Sequence, residues 1–215
     1  MRTDQLLIIR AALGQRIYQI EASSTFHLSL LRIDSLLDNS PYVVEEPVIF
    51  EYDHSTLGLT LPPAHFAWIS TAAGRAWEFT ISPHLESLDL QQARELCTRI
   101  IEAIGPSRWK ARPEKASSLK EEDLAGLFAQ TRRESYAHRV RAWEEDSGGK
   151  LTLSIKRIFK AENSAPRTAD RFVVDVRFWG DELRDQLIEK MYDKRRSHGD
   201  ADTALPMHVW KDDPD

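Results

Sequence analysis

The sequence predicts an α+β fold: an antiparallel-rich sheet with helices packed on it, built from two successive strand–strand–helix units. Three observations carry this. Residues 65–104 read as strand, Gly-containing turn, strand, loop and capped amphipathic helix. Residues 151–196 repeat that order. Elsewhere apolar residues alternate with polar ones at period two, which sets one strand face on a core and the other in water. The 215 residues are 41% hydrophobic and 29% charged, a globular composition with enough chain to bury a sizeable core. We read them as one domain over 1–215, with 1–112 and 113–215 as candidate sub-units.

The run LLII suits a strand at 6–12, and Gly14 separates it from a short helix at 15–22. Phe26, Leu28 and Leu30 alternate, giving a strand at 26–33, and IDSLLDNSP (33–41) reads as one helical turn ending in a Pro-marked loop. In 48–53, Val48, Phe50 and Tyr52 share one face, while Ile49, Glu51 and Asp53 share the other. HSTLGLTLPP (54–63) reads as a loop. HFAWIS and RAWEFTIS flank TAAG, the pattern of a hairpin.

The helix that follows is the best specified. Asp89 is a natural N-cap, and Gln92 three residues on completes a capping box. Ala93, Leu96, Cys97, Ile100, Ile101 and Ile104 form one apolar stripe. Gly105 is expected in the left-handed conformation at its end, with Pro106 stopping it. Residues 106–118 read as a polar connection. A second helix is expected from Leu119, with Glu121, Glu122 and Asp123 at its positive end. Its stripe of Leu124, Leu127, Phe128, Tyr136, Val140 and Trp143 drifts and is thin, so the helix is expected to be peripheral or broken near 131–135. Asp146-Ser147-Gly148-Gly149 is a turn. In 151–159, Leu151, Leu153 and Ile155 oppose Thr152, Ser154 and Lys156. In 171–179, Phe172, Val174, Val176 and Phe178 oppose Val173, Asp175 and Arg177. The last helix spans 180–196, acidic at its start and basic at its end. Residues 206–210 are expected to pack back on the body.

Composition narrows the chemistry. A net charge of −5 argues against broad nonspecific nucleic-acid binding, which needs a basic surface. The single cysteine, Cys97, excludes an internal disulfide and sits in an apolar stripe, where a thiol acts as a small hydrophobe. The N-terminal LLIIRAAL is short and interrupted by Arg10, so no signal peptide is expected there. No apolar run approaches the ~18–20 residues that span a bilayer.

Candidate sites are few. The histidines His27, His54, His65, His84, His138, His198 and His208 show no metal-ligand spacing, although His65 or His84 can still converge with a carboxylate in space. Glu45, Glu46, Glu51 and Asp53 form an acidic cluster. Glu51 and Asp53 share a strand face, so a carboxylate pair for hydrolysis is geometrically open beside a plain solvated face. Arg132, Arg133, His138, Arg139 and Arg141, with Tyr136 and Trp143, make the most basic stretch. Glu134, Glu144, Glu145 and Asp146 dilute it, favouring a solvated helix with local ion pairs over a phosphate-binding face. Signatures for a nucleophile elbow, a P-loop or a dinucleotide fold are missing. No catalytic, cofactor-binding or metal residue is therefore assigned, and no cofactor is expected.

At GLTLPPAHFAWIS and AAGRAWEFTISPHLESLDLQQARELCTRI, the chain resembles bacterial envelope proteins associated with type VI secretion loci. Those share a Pro-Pro strand, a Gly-turn hairpin, an SP-x-L-x-x-L loop and a following helix. RFVVDVRFWGDELRDQLIEKMYDKRR is similar to their C-terminal strand and helix, and the likeness extends loosely over 5–210. The resemblance implies an immunity protein: a non-enzymatic inhibitor, periplasmic, that binds and neutralises a secreted antibacterial effector. Members usually begin with a membrane or signal segment. A mildly acidic scaffold suits a basic surface on its target. Two alternatives stay open: a hydrolase without a recognisable signature using the carboxylates near Glu51, and a structural envelope or assembly protein. A cytoplasmic location is the alternative compartment.

Overall fold

The computed structural model describes residues 6–25, 37–54, 57–105, 109–113, 116–130, 135–158 and 170–211. The chain runs β1 (Leu7–Ala11), α1 (Ile17–Ser23), β2 (Tyr42–Val44), β3 (Val48–Tyr52), β4 (Leu59–Thr60), β5 (Phe66–Ala72), β6 (Arg75–Ser82) and α2 (Leu90–Ile104). It continues with β7 (Lys110–Ala111), α3 (Glu121–Gln130), β8 (Ser135–Glu144), β9 (Lys150–Ile158), β10 (Arg171–Trp179), α4 (Asp181–Ser197) and a 3-10 turn at Met207–Trp210. The fold is α+β and rich in antiparallel sheet, as the sequence predicts.

Seven strands form the main sheet in the order β2-β5-β6-β10-β9-β8-β7, every pair antiparallel. The hairpins β5–β6 and β9–β10 meet at its centre, where Val176 opposes Ile81 and Phe178 opposes Phe79. A small sheet, β1-β3-β4, holds the exception, a parallel β1–β3 pair. It lies on one face of the main sheet: Phe50 meets Phe79 and Phe178 at 5.3 and 5.6 Å between ring centroids, and Tyr52 stacks on Phe178 at 4.7 Å. α2 covers β10 on that same side, because Phe172, Val174 and Val176 are buried while Val173, Asp175 and Arg177 are not. Each of the larger buried side chains contributes about 1.5–3 kcal/mol, and their continuity joins both sheets into one core.

The well-specified elements form for the reasons the sequence offers. The Asp89 carboxylate accepts the Gln92 backbone N–H at 2.8 Å, and the Gln92 side chain accepts the Asp89 N–H at 2.9 Å. Ala93, Leu96, Cys97, Ile100 and Ile104 are buried. Ala73 and Gly74 link β5 to β6 with φ of 50° and 71°, the two left-handed residues of a type I′ turn. Gly74 also lets the backbone lie against Trp210: a Cβ there falls 2.7 Å from the Trp210 Cβ. The tail does pack back, with Met207 and Trp210 buried.

Several expectations are corrected. The second helix ends at Gln130, next to the break expected near 131–135, but the apolar residues beyond it belong to no helix: 135–144 is β8. A bulge between Arg139 and Arg141 inserts Val140 as an extra residue. The insertion breaks period two and leaves Val140 and Trp143 three apart, imitating a helical stripe. Gly105 is right-handed, with φ −50° and ψ −41°. Pro106 has no N–H to extend the ladder, so stopping the helix needs no left-handed Gly105. The expected loop 54–63 contains β4, the polar connection 106–118 contains β7, and β2 was not foreseen. These strands have two or three residues, too few to show a period. The strand expected at 26–33 lies outside the described residues.

Candidate interaction surface

Period two fixes which side chains of the main sheet face away from the core. Outward in one row stand Val43, Trp68, Thr80, Arg177 and Thr152; in the next, Ser70, Glu78, Trp179 and Lys150. Glu78 organises them. Its carboxylate accepts the Arg177 Nε–H at 2.6 Å and the hydroxyls of Ser70 and Thr80 at 3.4 Å each. The Trp68 indole N–H donates to Ser70 Oγ at 2.9 Å. The Arg177 guanidinium lies 4.9 Å from the Trp179 ring centre. Glu78 is only 13% exposed, against 46% for Arg177, so the carboxylate anchors an outward cation.

At the border, Lys150 donates to Asp181 at 2.6 Å. That hydrogen bond holds the Asp181 carboxyl below the usual carboxylate range. The result is an outward surface of two tryptophans and an arginine held by a half-buried acid. Trp and Arg dominate binding energy where proteins meet, and holding them on rigid strands lowers the entropy lost on association.

His65 and His84 do converge, with ring centroids 4.8 Å apart. Both are structural. His84 Nδ1–H donates to the Glu86 carbonyl at 2.8 Å, and its Nε2 accepts the Val174 N–H at 3.2 Å. His65 Nδ1–H donates to the His84 carbonyl at 2.6 Å. Burial, then the neighbouring His65, lowers the His84 pKa and keeps the ring neutral. The nearby Asp175 instead accepts the Ser82 hydroxyl at 2.6 Å, so serine, histidine and carboxylate form no relay.

His54 stacks on Tyr52, His138 sits edge-on to Phe128, and His198 caps α4 through the Lys194 carbonyl. His208 lies in the C-terminal turn, and His27 falls outside the described residues. Among the described residues, no group of three or more His, Cys, Asp or Glu is placed to hold a metal. Burial pushes the Cys97 thiol up to about 12, far from a nucleophile's range.

The acidic cluster does not assemble. Glu51 pairs with Arg10 directly across β1–β3 at 2.6 Å. Asp53 is exposed beyond the strand end, and Glu45 and Glu46 are exposed between β2 and β3. A cleft of about 250 Å³ nearby is lined by Tyr52, His54, Glu145, Glu182 and Gln186, with neither Glu51 nor Asp53 in its wall. Substrate pockets usually exceed roughly 300 Å³. Tyr52 there has its phenol pushed well up, first by burial and then by Glu145, so it stays protonated. A groove of about 650 Å³ runs along the outer side of α2, where Arg94 is pinned to the Leu119 carbonyl at 2.7 Å and Glu121 at 2.8 Å.

The basic stretch is divided by β8. Trp143 is buried and unable to stack on a ligand, Arg139 faces outward, and Arg132 and Arg133 lie outside the described residues. The outward alternation of β9 and β10 was legible in the sequence. The Glu78 anchor was not, because its partners come from β5, β6 and β10. No protein-family model, curated protein or solved structure matches this chain. Among the described residues, no helix is long and apolar enough to cross a membrane.

Proposed function

We propose that this chain is a non-enzymatic protein-binding inhibitor, an immunity protein that neutralises an antibacterial effector of type VI secretion in the periplasm. The observation that supports it is the outward surface where Glu78 fixes Arg177 and, through Ser70, Trp68, with Trp179 beside them. This is a prearranged aromatic–arginine patch on a rigid sheet, suited to recognition and holding no acid–base pair aimed at a substrate. The resemblance of 58–100 and 171–196 to immunity-type envelope proteins supplies the class of partner.

The test is co-expression with any toxic effector found encoded beside the gene. The chain should restore growth and co-elute with the effector. Replacing Trp68 and Trp179 with Ala should abolish both while leaving the melting temperature within a few degrees, since each truncated interface tryptophan commonly costs about 2 kcal/mol or more. Turnover of a glycan, ester or peptide substrate that Glu51→Gln with Asp53→Asn removes from a folded protein would establish the hydrolase instead. Neither rescue nor complex would leave the structural envelope role.

A further inference from the structure

The other half of the open face carries a different signal. Arg139 on β8, Lys156 on β9 and Arg171 on β10 all point outward. Lys156 lies in register between Ala137 and Val173, so Arg139 on β8 and both Arg171 and Asp175 on β10 are diagonal neighbours, roughly 7–8 Å away, and the Asp175 carboxylate accepts the Ser82 hydroxyl. The three cations form a diagonal across three strands. Arg139 and Arg171 are exposed and Lys156 is half-buried. None has an ion pair or side-chain hydrogen bond among the described residues. Their neighbours on the sheet differ: Arg177 is held by Glu78, Lys150 by Asp181, Lys110 by Asp146 and Arg112 by Glu144.

We propose that the diagonal Arg139–Lys156–Arg171, which makes no ion pair among the described residues, receives an acidic surface of the protein partner. This rests on the inhibitor reading and names the chemistry of its partner. Like charges on adjacent strands repel, and carboxylates presented across them relieve that repulsion while arginine binds a carboxylate through two parallel hydrogen bonds. The patch sits on a chain of net charge −5, so its positive field is local and orients an approaching partner.

An acidic protein fits better than a nucleic acid for two reasons. Val173 and the exposed Ile158 lie between and beside the cations, giving apolar contact that a phosphodiester chain does not use. Asp175 and Glu78, fixed by Ser82 and Arg177 on the same face, repel a uniform polyanion, whereas a protein surface of mixed charge accommodates them.

The test titrates the intact chain with oligoglutamate, oligoglutamine and oligothymidine, reading backbone amide shifts. Oligoglutamate should move the amides of β8, β9 and β10 around Lys156, with an affinity that falls steeply from low salt to about 0.15 M. Oligoglutamine should not. Arg139→Glu with Lys156→Glu should weaken binding at least tenfold at an unchanged melting temperature, and Lys156→Arg should retain it. If the reversed protein unfolds, Arg139→Gln with Lys156→Gln is the readout, again with a loss expected. No response at these rows, an equal response to oligoglutamine, or tighter binding of oligothymidine there overturns the proposal. In the growth assay, full protection by the charge-reversed variant overturns this inference and leaves the inhibitor reading standing. Lack of protection by the unaltered chain overturns the inhibitor reading, while the oligoglutamate titration decides independently whether the diagonal binds acidic chains.

Discussion

At the scale of single residues, the most deeply buried ion pair among the described residues joins Arg195 of α4 to Asp38, 5% and 0% exposed. Two guanidinium N–H groups reach the two carboxylate oxygens at 2.9 and 2.5 Å, and the Leu205 N–H adds a third contact at 3.3 Å. Arg195→Met leaves the buried carboxylate unpaired and should destabilise by about 3–5 kcal/mol in denaturant titration. His84 makes stability depend on pH. Its folded pKa lies below the unfolded value of about 6.5. The unfolded chain therefore binds the proton first, so the stability is present in full above that value and is lost as pH falls below it. Protonation also sets an N–H against the Val174 N–H. The urea midpoint should fall from pH 7 to pH 5, and His84→Gln should flatten that slope. His138, whose pKa is lowered by burial, should supply the remainder. Parallel slopes in both proteins would remove His84 from this role.

At the scale of elements, α2 and the β5–β6 hairpin are specified locally and testable locally. Asp89→Ala should cost ~0.5–2 kcal/mol at an unchanged denaturant slope, because both halves of its capping box are made. Gly74→Ala should cost at least about 1–2 kcal/mol from its positive φ alone, and more because the new methyl meets Trp210. A melting temperature equal to wild type would mean that the turn relaxes away from the C-terminal segment. β8 is the opposite case. Its residues resemble a helix because the Val140 bulge shifts the period, and only pairing with β9 over Ser135–Glu144 makes it a strand. The same bulge logic applies to β6, where register shifts between Ser70 and Thr71 leave Trp77 without an opposite residue. Trp77 packs half-buried at the margin of the core and meets Arg184 of α4.

At the scale of the molecule, the two strand–strand–helix units depend on one another. α2, from the first, packs on β10 of the second; α4, from the second, packs on β5 and β6 of the first. β6 and β10 pair at the sheet's centre. Fragments 1–112 and 113–215 should each lack a cooperative thermal transition, since each exposes the apolar face the other covers. Mixed, they should regain strand signal and a transition. Independent folding of either would show that the interlock is dispensable. Net charge and local charge differ at this scale: the chain carries −5, yet Arg139, Lys156 and Arg171 share one sheet face, because the sum over a sequence does not say which face each charge occupies.

The sequence by itself determined what depends on neighbours along the chain. The Asp89 cap, the α2 stripe, the Ala73-Gly74 turn and the alternation of β9 and β10 each express a local period or a local backbone preference. Tertiary structure decided what depends on residues far apart. It set the order of strands, the bulges in β6 and β8, the pairing of Arg10 with Glu51 that removes the carboxylate pair, and the Glu78 anchor drawn from three strands. The physical reason is that a strand's period assigns side chains to two faces but not to a partner. Which face becomes core, and which charges meet on the other, follows only from the register in which distant strands pair.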